Sequence, residues 1–290
     1  MKKTLFFLAA LLPLSLSAQE ESAWTHEGLT GLNFSQTSFT NWSEGGENSM
    51  AGNVYFNGSL NYKEGKNAWD NSLSANYGMN YTDATDWRKN IDNLNFSSKF
   101  GRQITEHLYY AALLDFKTQM GNGYDYSTDP KSLISKFLTP GYLNLSVGID
   151  YKPNDHISLY YSPVAGKMTM VNDTVFAVRY GVEPNQKTRF ELGSSFKGTI
   201  NYSLLEDKLT LKSVLDLFTA YNESFGNIDV NWDVLVGYNL TNVLTLTFQS
   251  TLKYDDDIKT FETDANGNTI VRGARVQFKE ILGLGLSYKF

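Results

Sequence analysis

From Met50 to Tyr62 the chain reads Met-Ala-Gly-Asn-Val-Tyr-Phe-Asn-Gly-Ser-Leu-Asn-Tyr. Its even positions (Met50, Gly52, Val54, Phe56, Gly58, Leu60, Tyr62) are apolar or small. The odd ones (Ala51, Asn53, Tyr55, Asn57, Ser59, Asn61) are mostly polar. A period of two sustained over thirteen residues describes a long strand with unlike faces. Strands of soluble sandwiches and lipocalin-like barrels alternate too, but typically run about five or six residues, so the length favours a strand that crosses a membrane.

Working outward, the polar turn Lys63–Asn67 is followed by the same alternation in the other phase, Trp69, Leu73, Ala75, Tyr77, Met79 and Tyr81 against Asp70, Ser72, Ser74, Asn76 and Asn80. Two such strands and a tight turn make a hairpin. The unit recurs as Leu94/Phe96/Phe100, Leu108/Tyr110/Ala112/Leu114/Phe116, Leu143/Leu145/Val147/Ile149/Tyr151 and Ile157/Leu159/Tyr161. It returns as Phe190/Leu192/Phe196/Ile200/Tyr202, Leu209/Leu211/Leu215/Leu217/Tyr221, Ile228/Val230/Trp232/Val234/Val236/Tyr238 and Leu244/Leu246/Phe248/Leu252/Tyr254. With a first strand near Gly28–Phe39 and a last near Arg275–Phe290, the expectation is an all-β, closed antiparallel transmembrane barrel of about twelve strands.

Connections alternate in length. Short turns fall near 63–67, 101–107, 152–156, 203–208 and 240–243. Longer loops fall near 40–48, 82–88, 121–139, 164–187 and 255–274, with a short one at 222–227. Periplasmic turns of bacterial barrels are short and outer loops long, which places both termini in the periplasm. Aromatic residues end the apolar stripes at both rims, Tyr62, Trp69, Tyr151, Tyr202, Tyr238 and Phe290 at one and Tyr81, Tyr221 and Tyr254 at the other. The terminal Leu282-Gly-Leu284-Gly-Leu286-Ser-Tyr288-Lys-Phe290 resembles the carboxy-terminal signal read by the barrel-assembly machinery, the expected partner besides outer-membrane lipid. Glu280 shares the lipid-facing parity and is expected either at the outer interface or turned inward by a bulge.

Lys2 and Lys3, the apolar run Leu5–Leu16 and Ser17-Ala18-Gln19 form the three-part pattern of a secretory signal peptide, 1–18. A short periplasmic segment, 19–27, and one barrel domain, 28–290, are expected to follow. Removal of two lysines leaves 25 − 2 = 23 basic against 31 acidic residues, a net charge near −8, which argues against nucleic acid as a partner. The absence of cysteine excludes disulfides and thiolate chemistry. No later run of eighteen apolar residues suits a membrane helix.

The stretch Asn33-Phe-Ser-Gln-Thr-Ser-Phe-Thr-Asn-Trp42-Ser-Glu-Gly45-Gly46-Glu47-Asn48-Ser49, with Asn61-Tyr62-Lys63 and Trp69-Asp70-Asn71, resembles the domain-of-unknown-function 3078 family of bacterial outer-membrane proteins. Gly148-Ile-Asp150-Tyr151-Lys152-Pro153-Asn154, Ser162-Pro163 and Lys167 are similar to it as well. The resemblance implies an outer-membrane barrel and transfers no functional residue.

The parity that sends apolar residues to lipid sends Asp115, Lys117, Asp150, Arg189, Glu191, Lys197, Lys212, Asp216, Asp233 and Lys253 to the lumen, with Asp70, Lys99 and Asp229. Such charges either tune the passage of small polar solutes or pair across the lumen and plug it. The expectation is a channel-like, non-enzymatic barrel without cofactor; a closed barrel with a binding or structural role is the alternative. His156-Ile-Ser158 has hydrolase-like spacing but no orienting third group. Asp255-Asp256-Asp257 and Asp264–Asn268 supply oxygen ligands for calcium, yet Asn266-Gly267 reads more simply as a hairpin turn. Tyr124, Tyr126, Arg179 and Tyr180 in the long loops serve a glycan contact, an inward constriction or, most simply, ordinary loop surface.

Overall fold

The computed structural model describes residues 23–39, 47–126, 130–222, 225–263 and 269–290. The expected signal peptide, most of the 40–48 loop and the Asp264–Asn268 cluster lie outside them. In chain order the strands are β1 (Trp24–Thr37), β2 (Ser49–Glu64), β3 (Asn67–Thr82), β4 (Arg88–Gln103), β5 (Leu108–Thr118), β6 (Gly123–Asp125), β7 (Ser132–Ser135) and β8 (Gly141–Asn154). They continue with β9 (Ile157–Met170), β10 (Thr188–Leu204), β11 (Leu209–Ala220), β12 (Asp229–Asn239), β13 (Leu244–Tyr254), β14 (Lys259–Thr263), β15 (Thr269–Ala274) and β16 (Gln277–Lys289). Twelve of them close one barrel in which chain neighbours pair antiparallel and β1 meets β16; β6–β7 and β14–β15 are small hairpins in the loops.

The alternation is realised directly. Apolar stripe residues point outward and stay uncovered, as at Tyr110 (65% exposed) and Leu282 (73%), while their neighbours Tyr109 and Ala111 are buried inside. Two grooves on the outer face, of about 620 and 700 Å³, are lined by apolar residues where Ala112, Gly148 and Gly166 thin the surface. At the turn end Trp24 packs against Tyr62 and Trp69, and His156 stacks on Tyr202. Tyr81 meets Trp87 at the loop end. Glu280 keeps its outward parity opposite Ser250 in an unbroken β13–β16 register, three residues from the loop end of β16; no bulge turns it inward.

Three boundaries differ from the sequence reading. β1 begins at Trp24, so the barrel takes in Trp24–Glu27 of the segment assigned to 19–27. The last strand is shorter at both ends than Arg275–Phe290. β9 runs on to Met170, shortening the 164–187 loop to 171–187. The cause of the third is a bulge. The register shifts between Val147 and Ile149 in β8 and between Gly193 and Ser195 in β10, flanking Ser162-Pro163 in β9. Proline lacks the N–H a ladder needs, and the extra residue inverts the parity beyond it. Outward residues are Leu159 and Tyr161 before the bulge and Val164 after it, while Ala165 and Lys167 turn in. Gly148 is required here, because a Cβ at that position would lie 2.1 Å from the Tyr161 carbonyl oxygen.

Candidate functional site: the barrel lumen

On the β3–β11 side the inward face is filled by ion pairs in three tiers. Nearest the turns, Lys99 pairs with Asp150 at 2.7 Å and Lys152 with Asp70 at 2.6 Å, and Ser158 donates to Asp150. Lys99 and Asp70 are also direct cross-strand partners. At mid-height Lys117 meets Asp216 at 2.6 Å, and Lys197 bridges Asp115 at 2.7 Å and Asp216 at 3.2 Å. These contacts join β5 to β10 and β11 and so cross the interior. Nearest the loops Lys167 holds Asp229 at 2.6 Å and Asp255 at 3.0 Å, with Glu191 at 3.9 Å, while Arg189 contacts Glu191 and Asp257. The two inner tiers balance two cations with two carboxylates each; the outer one sets two cations against four.

Between the tiers lie buried side chains: Tyr160 packs with Ala111 and Leu113, and its hydroxyl donates to Ser146. Toward the seam where the barrel closes, an amide relay takes over. Asn33 donates to Asn53, Asn53 to Asn76 and Asn76 to Gln249.

The wall formed by β11, β12, β13 and β16 differs. Lys212, Lys253 and Lys279 all have inward parity, and Lys253 and Lys279 are exposed to water although they face into the barrel. None of the three makes an ion pair or hydrogen bond among the described residues. Asp233 is the carboxylate common to all three. Its own bonds come from Asn231 and Thr251. Glu27, on the inward face of β1, is a second carboxylate near Lys212, so this strip of lumen, wet at Lys253 and Lys279, carries three cations to two carboxylates.

Loops cover part of the mouth. Residues 171–187 form two single 3-10 turns, Thr174–Phe176 and Val178–Tyr180, around a small core of Val171, Ala177 and Val182. Tyr180 donates its hydroxyl to the Ile134 carbonyl, and burial pushes its phenol up to about 12. Lys136 pairs with Asp173, and that hydrogen bond, with another from the Val175 N–H, holds the Asp173 carboxyl below its usual range. Arg189 donates to the Gly181 carbonyl from below, so the cap is tied to the outer tier.

Of the sequence-predicted lumen charges, Asp115, Lys117, Lys197 and Asp216 come together in the middle tier, Asp150 joins the inner one, and Arg189 and Glu191 join the outer one. Lys212, Asp233 and Lys253 stand apart on the wet wall. Sequence reasoning passed over Lys152, Lys167, Asp255 and Asp257 as lumen groups and did not single out Lys279. The first four sit at turns, beyond the Ser162-Pro163 bulge or in a loop, where parity counting fails; Lys279 keeps simple parity with Gly283 and Gly285 and was readable. His156 and Ser158 do not form a pair: His156 stacks on Tyr202 with Nδ1 at the Asn201 carbonyl, while Ser158 belongs to the inner tier. Asp255 and Asp257 hold cationic side chains, and among the described residues no three His, Cys, Asp or Glu converge as metal ligands.

Residues 34–124, just under a third of the chain, match the model of a family described as a protein of unknown function (DUF3078). The quoted motifs near 148–154 and 162–167 lie beyond that match. No curated protein matches the chain. Among solved structures, an outer membrane channel from Pseudomonas putida F1 is similar with a TM-score of 0.39 at 9% identity, covering 94% of this chain and 100% of that one. The translocator domain of the autotransporter NalP from Neisseria meningitidis is similar with a TM-score of 0.35 at 9% identity, covering 92% and 88%. A mutant of the TodX monoaromatic hydrocarbon channel follows with 0.32 at 9% identity, covering 92% and 89%.

Proposed function

We propose that this chain is a non-enzymatic outer-membrane barrel, exported by its amino-terminal signal and inserted through its terminal strand, that passes or binds small polar solutes in a narrow wet strip of its lumen. The uncovered apolar outer face supports the membrane location, since only a closed barrel satisfies every backbone group in lipid while carrying so polar a sequence. With the termini at the turn end, the loops face outward from the cell. The observation that carries the solute reading is the wall of Lys212, Lys253 and Lys279, which makes no ion pair among the described residues beside an otherwise ion-paired interior and is open to water at Lys253 and Lys279. A twelve-stranded barrel lies between filled eight-stranded and open sixteen-stranded ones, and here the tiers divide the cross-section.

Unpaired lysines on a low-dielectric wall raise the local concentration of anions. The test is single-channel recording of refolded Gln19–Phe290 in planar bilayers under a salt gradient. Discrete steps with a reversal potential on the anion side are expected, with selectivity falling in K253Q and K279Q. A correctly inserted but silent barrel would overturn passage and leave the closed, surface-binding reading, which the tethered cap favours.

A further inference from the structure

The seam that closes the barrel is only half zipped. β1 and β16 are joined from Gly28, which exchanges both backbone hydrogen bonds with Phe290, to Asn33 opposite Gly285 and no further toward the loops, although both strands continue. Each of the other eleven seams runs through ten or more residue pairs. Continued register would set Phe34 against Leu284 and Thr37 against Ile281. Instead each strand pairs only on its other side there, Phe34–Thr37 with β2 and Gln277–Leu284 with β13. Gly285 lies five residues above Phe290, about 12 Å along the barrel axis for tilted strands. An apolar band is about 25 Å tall. The seam is therefore parted through the outer half of the membrane.

Residues of β1 and β16 at the split are shaped to end the zipper. Gly285 lets the chains approach, since a Cβ there would lie 2.2 Å from the Leu32 carbonyl, and the Asn33 side chain fills the space above Gly283 and Gly285. Asn33 is buried, and its Oδ1 has no hydrogen-bond partner. Unpaired backbone edges are untenable against hydrocarbon and stable where they meet water or a polar group. Here they open onto the wet wall. Lys279 stands on β16 itself, and Lys253 stands on the adjacent β13, opposite Gln277. On the outer side the same edges carry exposed Phe34, Phe278, Leu282 and Leu284.

We infer that the parted β1–β16 seam is a lateral window for an anionic amphiphile of the outer leaflet, with its phosphate or carboxylate head between Lys279 and Lys253 and its acyl tail along Phe34, Leu282 and Leu284. This rests on the membrane-spanning reading above and adds the chemistry of the ligand. The head's oxygens accept hydrogen bonds from both the lysines and the free edge N–H groups, which a zwitterionic head satisfies less well because it brings its own cation. The tail never leaves lipid.

The test uses the refolded chain in phosphatidylcholine vesicles containing a small fraction of diazirine-tailed phosphatidic acid, with a diazirine-tailed phosphatidylcholine as reference. Cross-links located by mass spectrometry are expected on the outer halves of β1 and β16, several-fold stronger for phosphatidic acid. In K253Q/K279Q they should fall to the phosphatidylcholine level. Because the chain has no cysteine, T37C/I281C can bolt the window by a disulfide or a short bismaleimide, and bolting should remove the excess labelling. Equal labelling by both lipids, or labelling that survives the bolt, overturns the inference. Inorganic phosphate supplies the other source of the same head: if it shields Lys253 and Lys279 from a soluble acylating reagent as well as phosphatidic acid does, and in the bolted barrel too, the ligand arrives through the mouth and the window is refuted. Heat-modifiable mobility in the same vesicles reports insertion, so failure of the barrel is separated from failure of the window.

Discussion

Lys197 offers the sharpest measure of how dry the ion-paired half of the lumen is. Its ammonium joins Asp115 at 2.7 Å and Asp216 at 3.2 Å, with side-chain exposures of 13%, 7% and 19%. Asp216 has a second cation in Lys117; Asp115 has no other ion pair among the described residues. Lys197→Met keeps most of the volume and strands the Asp115 carboxylate. Removing one partner of a buried pair costs about 3–5 kcal/mol, whereas replacing both by apolar groups of similar size is often neutral. K197M should therefore lose about 4 kcal/mol, and K197M/D115L should recover most of it, a coupling of about 3 kcal/mol. For a guanidinium dependence of roughly 4 kcal/mol/M the midpoint would drop by about 1 M. The assay is equilibrium unfolding of the refolded barrel in vesicles, followed by tryptophan fluorescence. A loss below about 1 kcal/mol, with the two substitutions additive, would show water around the middle tier and refute the idea that it closes this side of the lumen.

Two further outcomes follow from the bulge and the cap. Gly148→Ala places a methyl 2.1 Å from the Tyr161 carbonyl and should cost about 3 kcal/mol or lower the folded yield, while Gly237→Ala, whose new Cβ would lie 3.9 Å from its nearest neighbour, Thr245, should leave both unchanged on heat-modifiability gels. Asp173 titrates below its ordinary range because of Lys136 and the Val175 N–H, so its contribution to the cap is complete above about pH 4 and disappears as pH falls through the lowered folded value. Amide exchange at Val175 and Ala177 should quicken on acidification below that point, and D173N should exchange fast already at neutral pH with that acid step gone. Unchanged exchange in D173N would show that the 171–187 loop is held by its Val171, Ala177 and Val182 core alone.

The period of two determined the closed antiparallel barrel, its twelve strands and the direction of nearly every side chain in them. In a strand, parity is a local property, and one lipid-like face imposes it on the whole chain. For the same reason Asp115, Lys117, Lys197 and Asp216 were legible as inward charges. Parity fails where the ladder changes count. Ser162-Pro163 inverts β9 and turns Lys167 inward, and Asp255 and Asp257 reach it and Arg189 from a loop that has no parity. Nor does local sequence say which charges meet. Lys117 and Asp216 are ninety-nine positions apart, and their contact depends on the curvature that closes the sheet. The division into an ion-paired half and a wet lysine wall, and the parting of β1 from β16 above Asn33, belong to that closure. Each strand's own residues fix its two faces, but only the two edges that finally meet decide how far they zip.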